Sequence, residues 1–424
     1  MSARIQAPRG TFDVLPEQAA ARMQLEHVAR EVLEGAGYQR IETPALEVTE
    51  LFARGVGEST DIVQKEMYTF EDAGGRSLTL RPEGTAPVCR AYAEHGMHKW
   101  PQPVKLWYLS SFFRYERAQA GRYRQFWQVG AEALGSQDPA ADAESIVLLA
   151  TLLDRLGVRG LRLRLSSLGQ LSTRLEYRER LQQHLRENAD RLAPEVRDRI
   201  DLNPLRAFDS EHAGTREVMA TAPRLIDQLA PEDAAHFADV RALLDAAEVA
   251  YEIDPTLVRG LDYYSRTVFE FTSDALGAQS GVGGGGRYDG LVEMLGGPPT
   301  PGIGWAAGIE RILLAAEAPL APAGAPVSLY VAADVDGQGE EKPTRRSAAF
   351  RIVTDARAAG LGAQLELAGR SAKGRLKHAS RIGARYVAVV GDGQTVLRDT
   401  EEGVEQTLDN NAVVHAVIRG LRDL

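Results

Sequence analysis

Between Arg124 and Glu132 the chain alternates so that Phe126, Gln128, Gly130 and Glu132 share one face of an extended strand. On Val104–Glu116 the same parity groups Phe112, Arg114 and Glu116. An aromatic ring can stack a base, a glycine can admit a ligand, and an amide beside a carboxylate can bind an amino group. The competing reading is a solvated sheet face, since antiparallel sheets often expose one side. A second polar cluster, Thr79, Arg81, Glu83 and Thr85, lies in LTLRPEGTAP, where Pro82 and Gly84 bend the strand end toward either a cleft or a plain turn. A third, Leu257–Glu270, sets Arg259, Asp262, Tyr263 and Tyr264 around Gly260. Parity across that glycine is open, and paired tyrosines also serve as core residues with one hydrogen bond each.

Several other signals carry no chemistry. The run Gly281-Val-Gly283-Gly284-Gly285-Gly286 matches a dinucleotide fingerprint only as any oligoglycine does, without a parallel βαβ context. No GxxxxGK[ST] phosphate loop and no GxSxG elbow occurs. Cys89, His95 and His98 fit no zinc spacing, so no protein-bound metal is expected.

The elements that must position these residues fall into an α+β pattern. A helix is expected from Gln18 to Gly35 and a short strand from Tyr38 to Glu42. Strands follow at Ser77–Arg81, Val104–Glu116 and Arg124–Glu132, joined by turns, as in an antiparallel sheet. Residues 170–252 read as a charged helical insertion broken by Pro194, Pro204, Pro223 and Pro231. Strand character returns at Thr267–Thr272, and the glycine run and helices follow. A Pro/Ala linker, 318–326, separates a first domain, 1–320, from a small α/β domain, 327–424. There the expected order is strand Ser328–Ala332, helix Thr344–Ala359, strand Gln364–Leu367, helix Ala372–Gly383 and strand Tyr386–Val390.

With 424 residues, 44% hydrophobic and 25% charged, the composition is that of a soluble globular protein, and no stretch is apolar enough to span a membrane. A single cysteine fits a reducing, cytoplasmic setting. The net charge of −10 argues against a generally basic DNA binder, although Arg370, Lys373, Arg375, Lys377, Arg381 and Arg385 run without an intervening acid.

Over nearly its whole length the chain resembles the histidyl family of class II aminoacyl-tRNA synthetases. Tyr38–Pro44 is similar to motif 1, Phe113-Arg114-Tyr115-Glu116 with Arg124–Glu132 to motif 2, and Gly302–Leu314 to motif 3. Leu80–Thr85, Arg259–Tyr264 and Gly285–Gly290 resemble segments particular to the histidyl family. Two departures stand out: Trp127 where histidine is frequent, and the unusual length of the glycine run, which bears on loop mobility before Arg287.

The resemblance implies a six-stranded antiparallel catalytic sheet with flanking helices, a helical insertion and a C-terminal α/β anticodon-binding domain. It implies ligation of L-histidine to tRNA(His) with ATP, through a histidyl-adenylate, by a homodimer whose interface includes Pro44. Glu83, Thr85 and Gln128 would hold the α-amino group, while Glu132 and Tyr264 read the imidazole and Tyr263 lines the pocket. Arg114, Glu116, Phe126 and Arg311 would bind ATP, accompanied by Mg²⁺, and Arg259 would approach the α-phosphate beside Arg114. Arg370, Lys373, Arg375 and Lys377 are candidate tRNA contacts. The rival reading is a synthetase-like regulatory subunit of histidine biosynthesis, a type that lacks the C-terminal domain and degrades the segment matching Arg259–Tyr264.

Overall fold

A computed structural model of the chain describes residues 5–57, 60–116, 121–202, 204–257, 261–277, 280–317, 327–335 and 342–422. The linker expected at 318–326 and the residue Arg259 lie outside the described residues. Backbone contacts separate two compact units, Met1–Pro322 and Ala323–Leu424. No helix among the described residues is long and apolar enough to cross a membrane.

The frame of the first unit is an eight-stranded sheet. Its central six strands are antiparallel, in the spatial order Val104–Phe113, Gln125–Leu134, Gly302–Gly308, Gly281–Arg287, Ser265–Ser273 and Leu161–Ser167. Two-residue strands, Gln39–Arg40 and Glu252–Ile253, add parallel edges on either side. The second edge was not anticipated, because two residues are too few to show a period.

Alternation divides the work between the two faces. One parity buries Trp107, Val129, Ala131, Ile303, Trp305, Leu165 and Phe269 in the main core. Over them pack the helices Pro16–Gly35, Pro139–Arg155 and Pro231–Ala246, through Leu25, Leu33, Ile146, Leu149, Val240 and Leu244. The other parity of the paired rows carries Tyr108, Gln128, Gly130, Glu132, Gly304, Ala306 and Gly286, and is nearly bare in its middle. The glycine run is one of the central strands, not a loop. Glycine disfavours strands, but here pairing on both sides overrides propensity, and close approach excludes other residues. A Cβ at Gly283 would lie 2.6 Å from that of Ala307, and one at Gly285 would collide with the Gly304 carbonyl.

The region expected as one insertion divides. Leu171–Glu187, Pro194–Arg197 and Ala213–Ala220 enclose a small core of their own around Tyr177, Leu181, Leu185 and Val218. Helix Pro231–Ala246 belongs instead to the main core. In the C-terminal unit the strands Ala363–Leu365, Leu329–Ala333 and Tyr386–Val390 run parallel, followed by an antiparallel hairpin, Gln394–Asp399 and Glu405–Asp409. Helices Pro343–Ala358, Ala372–Arg381 and Val413–Arg422 complete it. The hairpin and last helix escaped the sequence reading; Glu405–Asp409 is polar and mostly exposed, so it shows little apolar alternation.

One buried polar knot ties the main sheet to its helices. Arg287, fully buried, forms an ion pair with Asp142 on helix Pro139–Arg155 and another with Asp289 at 3.0 Å. Asp142 also accepts from Thr267 Oγ1 at 2.6 Å and bonds His236 Nε2 at 2.8 Å. Burial opposes its charge, but the His236 bond and the Arg287 guanidinium hold its carboxyl below the usual range. Asp142→Ala strands the Arg287 charge in the interior and should cost about 3–5 kcal/mol in urea denaturation. Replacing both partners with apolar residues, Asp142→Leu with Arg287→Met, should cost less than Asp142→Ala alone.

Candidate active site

The bare face of the sheet opens at one end into a cavity of about 560 Å³. Phe126 stands on strand Gln125–Leu134 and packs 6.2 Å from Phe112 across the ladder. Strand Val104–Phe113 ends before Arg114, but the Arg114 amide still donates to the Arg124 carbonyl at 3.0 Å. Arg114 Nε donates to the Pro82 carbonyl at 2.8 Å, which holds the guanidinium 5.4 Å from the Phe126 ring centre. Glu116 lies 3.4 Å from Arg122 and 4.0 Å from Arg114. Arg311, on helix Ile309–Ala315, joins these groups on the cavity wall. Burial first, and then the neighbouring Arg122, lowers its pKa. Three guanidinium groups around one cleft favour a polyanionic ligand.

Arg311 is held from behind. Glu310, the residue before it, accepts the Trp127 amide at 3.1 Å and Arg22 Nη2 at 2.6 Å. Arg22 also lies 4.3 Å over the Trp127 ring, so the departure at Trp127 has a cation–π partner on the N-terminal helix.

Deeper along the same face the groups change from cationic to hydroxylic. Gln128 lines the cavity, and its Oε1 is buried without a hydrogen-bond partner. Beyond it, Glu132 is fully buried and accepts from Thr85 Oγ1 at 2.8 Å, Tyr108 OH at 3.3 Å and Tyr288 OH at 2.5 Å. Gly304 lies opposite, and any side chain there would collide with the carboxylate. Burial pushes the Glu132 pKa to about 8 against the lowering effect of these hydroxyls. Glu83 accepts the Thr85 and Ala86 amides at 2.8 and 2.9 Å, satisfying donors at the start of helix Thr85–Glu94, and Tyr263 OH approaches at 3.4 Å. Burial raises its pKa despite those bonds. Tyr264 is buried edge-on to Tyr263, with ring centres 4.8 Å apart.

The structure therefore gathers Glu83, Thr85, Glu132 and Tyr263 into one hydrogen-bonded cluster, with Tyr264 against Tyr263. Arg114, Glu116, Phe126, Gln128 and Arg311 line the adjoining cavity. One expectation fails: the space over Gly130 is filled by the Tyr108 ring, which also covers Gly84. Tyr108 has the parity of Phe112 on a strand already singled out, and counting back four residues finds it. Sequence pattern alone does not single out Tyr288, within Gly285–Gly290, nor the cavity-lining Arg122 and Glu270.

In the C-terminal unit the basic run does not act as a block. Arg375 is buried and donates to the Ala333 carbonyl at 2.8 Å, on the wall of a cleft. Arg370 pairs with Glu366 at 3.0 Å, and Arg385 with Asp399 at 2.9 Å. Lys373 and Lys377 remain exposed. A cavity of about 580 Å³, lined by Arg346, Glu366, Leu367, Arg370 and Ser371, lies beyond the ends of the parallel strands, where the order reverses around Leu329–Ala333. Cys89, on the inner face of helix Thr85–Glu94, is fully buried, and that burial raises its thiol pKa well above the usual value.

Comparison with known proteins gives a consistent result. The sequence profile of the family described as histidyl-tRNA synthetase matches residues 10–312. A histidine–tRNA ligase of Desulforudis audaxviator is 47% identical over 427 residues, covering 99% of each chain. One from Geobacillus kaustophilus is 48% identical over 91% of this chain and 90% of its own. The crystal structure of apo S. aureus histidyl-tRNA synthetase superposes with a TM-score of 0.79 at 35% identity, over 98% of this chain and all of that one. A Bacillus halodurans structure, described as an ATP phosphoribosyltransferase regulatory subunit/histidyl-tRNA synthetase, shares the fold at 24% identity and a TM-score of 0.64, covering 90% and 97%.

The Glu132 environment has a measurable signature. A carboxyl whose folded pKa is raised keeps its proton while the unfolded chain loses it, so its contribution to stability falls as pH rises between the two pKa values. Glu132→Gln removes that dependence. Relative to the variant, the parent should lose roughly 1 kcal/mol per pH unit from about pH 5 toward 8. Denaturation across that range checks it; parallel profiles would show that Glu132 is ionised throughout.

Proposed function

The chain belongs to the histidyl-tRNA synthetase family, and from that premise we propose how its sheet-face site performs the reaction. The enzyme ligates L-histidine to tRNA(His) with ATP through a histidyl-adenylate, releasing pyrophosphate and AMP. One observation carries the residue assignment. A guanidinium-lined cavity and a sealed carboxylate–hydroxyl cluster share one sheet face, with the unpaired Gln128 Oε1 in the cavity wall.

In this reading Gln128, with Glu83 and Thr85, takes the α-amino group of histidine. Glu132 and Tyr264 take the two ring nitrogens, and Tyr263 lines the pocket. A carboxyl with a pKa near 8 is close enough to the imidazole range for a proton to be shared between them. An apolar competitor would offer no ring nitrogen to Glu132 and Tyr264 and would be rejected by the loss of those polar contacts. Phe126 stacks the adenine, Arg114 binds the α-phosphate, and Arg311 and Glu116 serve the distal part of ATP. The histidine carboxylate attacks the α-phosphorus in line and the bond to pyrophosphate breaks. Preorganised guanidinium groups stabilise the developing charge, so no protein nucleophile is required. In the second step a ribose hydroxyl of the terminal adenosine attacks the acyl carbon, and AMP leaves.

Glu116 and Glu270, both on the cavity wall, would supply hard oxygen donors for Mg²⁺ accompanying the phosphates. When bound, the ion neutralises phosphate charge. A homodimer is supported by the small sheet Leu46–Val48, Ser77–Leu80 and Tyr68–Glu71, next to Pro44 in the chain. Leu46, Val48 and Phe70 are exposed there in matching register, an apolar face suited to a second copy. The regulatory-subunit reading is opposed by the full-length identity to ligases and by the C-terminal unit. For that unit we propose tRNA binding through Lys373, Lys377 and the cleft beside Arg370. A crevice at a strand-order reversal is the usual ligand position in parallel α/β sheets.

Pyrophosphate exchange into ATP, run with each amino acid in turn, should respond to histidine alone. Arg259→Ala should lower kcat for exchange by about 10²–10³ with a smaller change in histidine binding, as for loss of one preorganised donor. Exchange within a few-fold of the parent would remove Arg259 from the catalytic set. Truncation near Ala325 should abolish aminoacylation yet leave histidine-dependent exchange measurable, and equal loss of both in a folded truncation would refute the division between units.

A further inference from the structure

The root of the helical insertion is fastened to the backbone of the segment that carries Tyr263 and Tyr264. Arg174, on the first turn of helix Leu171–Glu187, sends Nη1 to the Asp262 carbonyl at 3.1 Å and the Tyr264 carbonyl at 2.5 Å. The side chain is half-buried, and desolvation lowers its pKa. Partly desolvating a cation is costly unless hydrogen bonds offset it, and the two backbone carbonyls supply them.

The neighbouring backbone is constrained from the same side. Arg266 sits at φ +47°, a left-handed conformation rare for a residue with a side chain. It is held there by its amide donating to the Gly169 carbonyl at 2.8 Å and its carbonyl accepting the Leu168 amide at 2.7 Å. Asp233 completes the fastening: one oxygen accepts Arg266 Nε at 2.8 Å and the other accepts the Gln170 amide at 2.9 Å. The stretch between Asp262 and Arg266 is thus gripped from the base of the insertion, while the Tyr263 side chain reaches Glu83 and Tyr288, with Tyr264 packed against it.

We propose that Arg174 is a positioning residue for histidine recognition, acting through the Tyr264 backbone to set where both tyrosines stand. It touches no substrate. The inference rests on the assignment of Tyr263 and Tyr264 to the histidine pocket. Its consequence is that the insertion is coupled to the amino-acid pocket through the two tyrosines, while Arg114 and Phe126 across the site are held by other contacts.

The test is histidine-dependent pyrophosphate exchange by the full-length enzyme and its Arg174→Ala, Arg174→Lys, Tyr264→Phe and Arg174→Ala/Tyr264→Phe variants. Loss of charge-assisted bonds should raise KM for histidine roughly ten- to a hundredfold in Arg174→Ala. KM for ATP should stay within about twofold, since the contact is not on the ATP side. Arg174→Lys, which keeps the charge but not the fork, should fall between parent and alanine variant. If alanine prevents folding, the lysine variant carries the same comparison. The double variant should be little worse than the poorer single one, as for residues acting through one contact. Equal rises in both KM values, fully multiplicative effects, or parent-like exchange in Arg174→Ala would each overturn the proposal while leaving the assigned reaction intact. A folded parent with no histidine-dependent exchange would instead remove the assigned reaction on which the proposal rests.

Discussion

The Arg287–Asp142 ion pair stands at the point where most of the first unit meets. Arg287 ends a strand composed otherwise of glycine and one valine, which has almost no side chains with which to hold its place. Its guanidinium reaches through to helix Pro139–Arg155, and Asp142 passes the connection to Thr267 on the next strand and His236 on a second helix. The residue after it, Tyr288, turns to the opposite side and bonds Glu132. A buried pair of this kind is weak evidence for stability in itself, but it penalises every arrangement in which the two charges fail to meet. The placement of the Tyr288 hydroxyl follows from a contact made on the far side of the sheet.

That arrangement explains why a low-propensity strand is tolerated at the centre of the fold. The period of two lets a single row of residues serve a dry core on one side and a polar site on the other. Trp305 and Ala307 pack into the core, while Gly304 and Ala306 between them leave room above the sheet. Where the rows do carry bulk, as at Tyr108, it supports the carboxylate.

Much of this was legible because alternation and motif residues coincide. The strands on either side of the Arg114–Arg124 loop, and the residues on their shared face, follow from parity alone. What parity does not reveal is occupancy: Gly130 reads as an opening until its neighbour across the ladder, Tyr108, is known to fill it. The glycine strand was hidden because its strand character comes from its partners and not from its own side chains. The basic run in the C-terminal unit shows a related limit of sequence reading. Charge can be counted in a sequence, but not its partners: Arg375 donates to a backbone carbonyl and Arg370 pairs with Glu366. The split of residues 170–252 into a separate small core and one helix of the main core was equally invisible, since both parts show the same amphipathic helical pattern.

Cys89 has an experimental consequence. It is the only cysteine in the chain, it is fully buried on the inner face of the helix that starts at Thr85, and its thiol resists ionisation. A thiol that neither meets solvent nor forms thiolate reacts slowly with maleimides and disulfide reagents. The natural sequence is thus already close to a cysteine-free background for attaching probes. A single new cysteine on the insertion, or on the exposed surface near Lys373, would take up a fluorophore or spin label selectively in the folded protein. Distances between labelled positions would then report domain motion during turnover without first re-engineering the core.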